Sequence, residues 1–429
     1  MPRPPLSLAG VLALALLPAV AAAPSASAAM PSTSGIGARA GATVVDLRTG
    51  RTLLSRSATT SRIPASVTKL FTTWAALERL GPGWTPRTRV LATGALAPSG
   101  TWKGDLYLVG GGDPTLTRAS LTALARQTVT ALGATGLDGR VIADASAFDD
   151  WQGGDRTHRG VDPDMTGRLG ALVVDRGSGQ DDPAQRAASL FRSALGSAGL
   201  RVTTALAKGS APAGTPQVAL LNGPPLAQLA STLLSVSDNF YAEMLLKAAV
   251  ARDGEEGACR LAAGLAATPA AGEAATPPAT ACVQRAATIA AASTRAGITL
   301  ERQTLRPLLG YSPRLHDGSG LTRRNRVSPA QVARLLVKLN GRTAVAPVLR
   351  AALPQAGRSG TLRRRMRGTA AVGRCQAKTG TLNGVSALAG YCTTKRGRDV
   401  AFAILQNGSS LASAHRFQDR FVARLAANG

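Results

Sequence analysis

Histidine is scarce in this chain: His158, His316 and His415 are the only three in 429 residues. No G-x-S-x-G elbow and no H-E-x-x-H string occurs, so the α/β-hydrolase nucleophile and the zinc-protease helix both lack their residues. His316-Asp317 beside Ser319 has the composition of a triad, but sequence neighbours seldom point at one another. Aromatic residues make up 3% of the chain, too few to stack on bases. No basic tract is longer than Arg363 to Arg367, so a net charge of +26 does not read as nucleic-acid binding. After Leu6 to Ala23 no stretch approaches the ~18 apolar residues that span a bilayer. The four cysteines show no C-x-x-C spacing and have no histidine near them, which argues against zinc, and no cofactor motif is present. Lysine is scarce too: seven of the 50 basic residues, the rest being arginine.

Arginine stays protonated in proteins, whereas a lysine amine can be pushed neutral by burial or a nearby cation and then accept a proton. Two of the seven lysines fall within three short strings that occur in order: Ser66-Val67-Thr68-Lys69, Ser237-Asp238-Asn239 and Lys378-Thr379-Gly380-Thr381. A serine and a lysine three apart share one helix face. The N-terminal end of that helix favours a developing oxyanion, for which the Ser66 N–H is a natural donor. Ser237 supplies a second hydroxyl to relay a proton, and Asn239 an amide to hold a substrate backbone. Lys378 with Thr379 and Thr381 makes a cationic, hydroxyl-rich edge for a carboxylate, which Gly380 lets substrate approach closely. Lys378 near Lys69 is expected to lower the pKa of the base by like-charge repulsion. Taken singly the strings are bland: Ser237-Asp238-Asn239 is a helix cap or Asx-turn, and Lys378-Thr379-Gly380 an exposed strand end. Gly110-Gly111-Gly112-Asp113 lacks the Gly-Lys-Ser/Thr of a phosphate loop and reads as a turn.

Residues 1–28, with Arg3, the apolar run and Ala26-Ser27-Ala28, read as a secretory signal cleaved after Ala28. A transmembrane anchor is the competing reading, against which Pro18 and Pro24 interrupt the run. Export and four cysteines fit an oxidising compartment. Cys375 and Cys392 lie symmetrically about Asn383-Gly384, the signature of a two-residue type I′ hairpin. Counting outward makes them a directly opposed, non-hydrogen-bonded pair within disulfide reach. Cys259–Cys282 is then paired by elimination. The positive charge suits an anionic cell wall or membrane surface, although the Ala, Gly and Arg bias of the whole chain makes much of it background.

A hairpin is expected over 41–55, a helix over 64–80 with Ser66 in its first turn, and helical stretches over 225–252 (broken near 235–239), 283–296, 328–339 and 410–427. Between the last two lie a hairpin over 376–391 and a strand over 400–405. Residues 253–281, rich in Ala, Gly, Thr and Pro, read as a variable excursion. Short strands and Gly-rich turns over 85–222 read as a smaller inserted β-rich domain, leaving 29–84 and 223–429 to form one catalytic domain.

The S-x-x-K, S-x-N and K-T-G set is that of the penicillin-binding protein and serine β-lactamase superfamily. With Ile63-Pro64-Ala65-Ser66, Gly112-Asp113-Pro114-Thr115-Leu116, Asn239-Phe240-Tyr241-Ala242-Glu243, Asp317-Gly318-Ser319-Gly320-Leu321 and Thr381-Leu382 through Gly390-Tyr391, the chain resembles the D-alanyl-D-alanine carboxypeptidases of the S13 peptidase family from about Gly41 onward. The resemblance implies an α+β fold of the serine β-lactamase/DD-peptidase type, an antiparallel sheet flanked by helices. It implies Ser66 as acylated nucleophile and Lys69 as base, completed by Ser237, Asn239 and Lys378, with the second oxyanion N–H from Thr381. It also implies peptidoglycan stem peptides as substrate, β-lactams as covalent inhibitors, crosslink cleavage as a second activity, and Leu321 or Arg323 near the stem-peptide side chain. The 171 residues from Ser66 to Ser237 are fewer than in many members, so part of the family's insertion is expected to be missing. A β-lactamase remains the alternative enzyme, although no E-x-x-L-N string positions a deacylating water. A non-catalytic basic wall-binding protein is the alternative of another class.

Overall fold

The computed structural model describes Met1 and residues 30–177, 182–266 and 291–428, with only the backbone course of 253–266. The leader and the Cys259–Cys282 pairing lie outside the described residues.

The chain opens with the expected hairpin, β1 (Ala40–Asp46) and β2 (Thr52–Arg56), followed by a 3-10 turn at Ala65–Thr68 and helix α1 (Lys69–Leu80). From Arg87 the sheet-forming strands are β3 (Arg87–Ala92), β4 (Ala95–Leu96), β5 (Thr101–Lys103), β6 (Leu106–Gly110), β7 (Gly136–Asp138), β8 (Val141–Asp144), β9 (Arg201–Val202), β10 (Leu206–Lys208) and β11 (Gln217–Asn222). Helices α2 (Arg118–Leu132) and α3 (Pro183–Ser197) lie among them. These strands pair only with one another, as a five-stranded sheet β10-β8-β6-β3-β11 and a small sheet β4-β5-β7-β9. Leu121, Leu124, Ala188, Phe191 and Leu195 of α2 and α3 pack on Val90, Leu106, Leu108 and Val141 of the larger sheet.

The chain then returns through α4 (Leu226–Ser235), α5 (Asn239–Ala266), α6 (Thr294–Leu309), α7 (Pro329–Asn340) and α8 (Ala346–Ala352) to β12 (Cys375–Leu382), β13 (Val385–Thr393), β14 (Asp399–Asn407) and α9 (Leu411–Asn428). These last strands join the first hairpin in the antiparallel order β12-β13-β14-β1-β2. Elements from both ends of the chain thus complete one sheet. Its two faces are both covered, and they differ in side-chain size. Leu388, Val400, Phe402 and Ile404 meet Phe417, Phe421 and Leu425 of α9. Ala387, Ala389, Ala401 and Ala403 face Leu70, Phe71 and Trp74 of α1 and Leu335 and Leu336 of α7. Small residues on that face let α7 and the 3-10 turn at Ala65–Thr68 lie close to the sheet, which brings the start of α1 beside β12.

Several boundaries differ from expectation. Of the helix expected over 283–296, residues 283–290 lie outside the described residues; a helix starts at Thr294, where the Ser293 hydroxyl accepts the Ala296 N–H, and Ala292 ahead of it bridges to Phe148. Helix α5 continues to Ala266, well into the stretch read as an excursion. Cys375 and Cys392 are opposed in the register and disulfide-bonded, Cα atoms 4.1 Å apart. The turn between them is not type I′, because Gly384 has a positive φ of 70° and Asn383 does not; a two-residue turn with that pattern is type II. The register survives because the loop length is the same.

Candidate active site

Ser66 sits in the 3-10 turn ahead of α1 rather than in the helix itself, after Ala65, which is held at φ 47°. Non-glycine residues rarely adopt that conformation, and local strain of this kind persists only where surroundings enforce it. The turn is enforced from two sides. A Cβ on Gly320 would fall 2.0 Å from the Ala65 carbonyl oxygen, and one on Gly380 would fall 2.6 Å from the Pro64 carbonyl oxygen and 3.1 Å from the Ser66 nitrogen. Gly380 therefore admits the protein's own nucleophile turn against β12, a nearer demand than the substrate approach expected of it.

Lys69, the first residue of α1, is fully buried. Its Nζ lies 3.0 Å from Ser66 Oγ and 2.6 Å from Asn239 Oδ1, and it donates to the Ser319 carbonyl. A carbonyl oxygen can only accept, so two N–H bonds are committed to Asn239 and Ser319. The third direction, toward Ser66, holds a proton in the ammonium and a lone pair in the neutral amine. Burial pushes the Lys69 pKa down to about 8, opposed by Asp317, Glu243 and Asp238.

Lys378 on β12 donates to Ser237 Oγ at 2.7 Å and to the Thr379 carbonyl at 2.8 Å. Burial, then the charge of Lys69, holds its pKa well below the usual lysine range. The expected repulsion thus falls on Lys378, while desolvation is what depresses Lys69. The physical reason is that a lysine neutralised by its own burial has no charge with which to repel its neighbour.

Ser237-Asp238-Asn239 divides its work. Ser237 is held at φ 63° between α4 and α5. Asp238 caps α5, accepting the Tyr241 N–H at 3.0 Å. The same carboxylate is gripped by both Nη atoms of Arg176 at 3.0 Å, and that guanidinium stands 4.7 Å over the Phe240 ring. The cap reading and the chemical reading of the string are therefore both realised, by different residues. Asn239 spends its amide on Lys69 and, through Nδ2, on the Asp164 carbonyl at 2.7 Å.

A cleft of about 700 Å³ opens over these groups. Ser66, Ser237, Asn239, Thr379, Thr381, Leu321 and Arg323 reach its surface; Lys69, Lys378 and Gly380 are buried. Arg323 also donates to the Asn383 carbonyl, and Thr379 Oγ1 meets Thr361 Oγ1 at 2.8 Å. One wall is Arg156, Pro163, Asp164 and Thr166, a contribution to which no motif in the sequence pointed. Arg176 and Asp164 were missed for the same reason. Asp317, by contrast, is not a triad partner: its carboxylate accepts Gly320 N, Thr322 N, Asn325 Nδ2 and, at 3.3 Å, the Ser319 hydroxyl, with no bond from the His316 ring among the described residues. Among the described residues no cluster of His, Cys, Asp and Glu could hold a metal, and no helix is long and apolar enough to cross a membrane.

A five-stranded antiparallel sheet between helices, with a serine and lysine three apart beneath a K-T-G strand, defines the serine β-lactamase/DD-peptidase class of fold. The crystal structure of penicillin binding protein 4 (dacB) from Haemophilus influenzae shares it, with a TM-score of 0.72 at 21% identity over 90% of this chain and 96% of that one. Within the class, the chain belongs to the D-Ala-D-Ala carboxypeptidase 3 (S13) family, whose model matches residues 26–178, 173–268 and 282–428. A D-alanyl-D-alanine carboxypeptidase of an Actinomadura species is 33% identical over 91% of this chain and 81% of its own length. A carboxypeptidase of Mycobacterium tuberculosis is 29% identical over 95% of this chain and 85% of its own. Family membership makes the chain a peptidase of the serine type.

Proposed function

We propose that this chain is an exported carboxypeptidase that removes the terminal D-alanine of peptidoglycan stem peptides through an acyl-enzyme on Ser66, and that penicillin traps the same serine. The observation that carries this reading is the Lys69 amine, whose only direction not fixed on a carbonyl faces Ser66 Oγ at 3.0 Å. In that geometry Ser66 Oγ attacks the penultimate D-alanine carbonyl as its proton passes to Lys69 Nζ. The N–H groups of Ser66 and Thr381 receive the oxyanion. The scissile C–N bond breaks as the leaving nitrogen is protonated through the Ser237 hydroxyl, which already accepts from Lys378. Water then hydrolyses the ester. The terminal carboxylate of the substrate meets the hydroxyls of Thr379 and Thr381 beside Lys378, and Asn239 steadies the substrate backbone. Leu321 and Arg323 line the part of the cleft where the stem-peptide side chain would lie.

Residues 29–84 and 223–429 serve as the catalytic domain and 85–222 as an insertion, a division supported by the separate pairing of their strands. Electrostatic association with the anionic wall is part of the same proposal. Crosslink cleavage is a second reading, favoured by the volume of the cleft, about 700 Å³.

The intact mass of the protein after incubation with benzylpenicillin, beside Ser66→Ala, tests the acyl-enzyme. A lasting single adduct absent from the variant is expected. Rapid penicillin consumption without an adduct would make the chain a β-lactamase, and neither would leave a wall-binding protein. D-alanine release from a pentapeptide, compared with cleavage of a crosslinked dimer, separates the two peptidase readings.

A further inference from the structure

Behind Lys69 lie three buried carboxylates that the acyl-transfer steps do not use: Glu243 on α5, Glu301 on α6 and Asp317 in the loop that follows. Their hydrogen bonds assign them different charges. Thr72 Oγ1 lies 3.0 Å from both Glu301 Oε2 and the Gly318 carbonyl, yet its hydroxyl has one proton. The bonds close if Glu301 carries a proton of its own, donating to Thr72, which donates to Gly318. Burial pushes the Glu301 pKa up to about 8, in keeping with a neutral acid. Asp317 is spent on its own loop, accepting two backbone N–H groups, the Ser319 hydroxyl and the Asn325 amide.

Glu243 is arranged differently. Its Oε1 accepts the N–H groups of Gly318 and Ser319 at 2.9 and 2.7 Å, while Oε2 is buried without a hydrogen-bond partner among the described residues. The two accepted N–H groups belong to consecutive peptides, and the next carbonyl along the chain, that of Ser319, receives the Lys69 amine. We infer that Glu243 is a positioning residue for the base: it fixes the Ser319 carbonyl against which the Lys69 amine is oriented, and it supplies negative charge to Lys69 once that amine has taken the Ser66 proton. The inference rests on the acyl-enzyme reading above. The titratable groups facing Lys69 are Glu243, Asp317 and Asp238, with Lys378 on the strand side; those facing Glu243 are Asp317, Lys69 and the protonated Glu301. Burial and Asp317 push the Glu243 pKa up to about 7, so its charge is present at the alkaline end of the working range.

The test is the pH profile of the benzylpenicillin acylation rate for wild type, Glu243→Gln and Glu243→Ala. Glu243→Gln keeps a carbonyl oxygen for the two N–H groups and removes only the charge. Its acid limb is expected to move about half a pH unit or more toward lower pH, because Lys69 loses a neighbouring anion. Glu243→Ala releases the loop and is expected to lower the acylation rate constant about 100-fold with little change in the binding constant, the mark of lost orientation. A Glu243→Gln limb within about 0.2 unit of wild type, or a Glu243→Ala rate within about 2-fold, would overturn the inference. Should Glu243→Ala not fold, the acid limb of the isosteric Glu243→Gln decides. If wild type forms no adduct at all, it is the acyl-enzyme reading that fails.

Discussion

Glu301 shows how a single side chain costs stability to keep a site in order. Its carboxyl is fully buried and has one satisfied oxygen, while Oε1 has no hydrogen-bond partner among the described residues. Burial raises its pKa from 4.5 to about 8. Because the folded-state value is the higher one, the unfolded chain releases the proton first as pH rises. The stability penalty is therefore absent below about pH 4.5, grows through the interval, and is complete above about pH 8. Glu301→Gln, which preserves a donor to Thr72, is expected to melt with wild type near pH 4 and to be more stable by on the order of 5 kcal/mol near pH 8.5. Thermal unfolding at the two pH values checks this, and an equal gain at both would refute a titration effect. At this scale the sequence was legible where spacing alone carries the chemistry. Ser66 and Lys69 must meet because three residues bring both onto one face. That Ser319 and Glu243 complete the Lys69 environment was not legible, since it depends on a loop some 250 residues away folding back onto α1.

At the scale of elements the site is an encounter between the 3-10 turn at Ser66 and strand β12, and Gly380 sets how near they come. A methyl group there would meet backbone, not a movable side-chain end: Pro64 O at 2.6 Å and Ser66 N at 3.1 Å. Gly380→Ala must part the strand from the turn, at about 1–3 kcal/mol for overpacking. The larger effect is expected on chemistry, because a displacement near 1 Å at a reacting group costs about 100-fold. Penicillin acylation should fall by that order while the melting temperature drops by only a few degrees; a rate within about 2-fold of wild type would show that the turn tolerates the shift. The hairpin carrying this strand was readable because Asn383-Gly384 and two cysteines fix one register. Its turn type was not, since Asn-Gly also fits a type II turn. The strands β13 and β14 betray their two covered faces only by size, alanine against leucine and phenylalanine, a pattern that polarity alternation cannot reveal. The start of α6 at Thr294 is set by the Ser293 cap, a local hydroxyl signal that hydrophobic periodicity does not register.

For the whole molecule the question is what a net charge of +26 does beside a site whose own lysines are buried. The stretch 354–374 holds six arginines and no acidic residue. Arg365 pairs with Asp419, whereas Arg358, Arg363, Arg364, Arg367 and Arg374 are exposed and form no ion pair among the described residues. Thr361 from the same stretch lines the cleft mouth, so this cationic surface adjoins the path a polymer-bound substrate must take. Composition gave the sign and size of the charge but could not place it, because the bias toward arginine runs through the whole chain. A surface of this kind attracts a polyanion over about a Debye length, near 10 Å at 0.1 M salt, and loses its hold as salt rises. Retention of the protein on purified cell walls is expected to fall between about 0.05 and about 0.5 M NaCl. Charge reversal at Arg363, Arg364 and Arg367 should weaken retention at low salt about 10-fold while penicillin acylation stays within about 2-fold. Retention unchanged by both salt and charge reversal would mean that the wall is held by contacts at the cleft itself, and that the excess arginine is compositional background with no binding role.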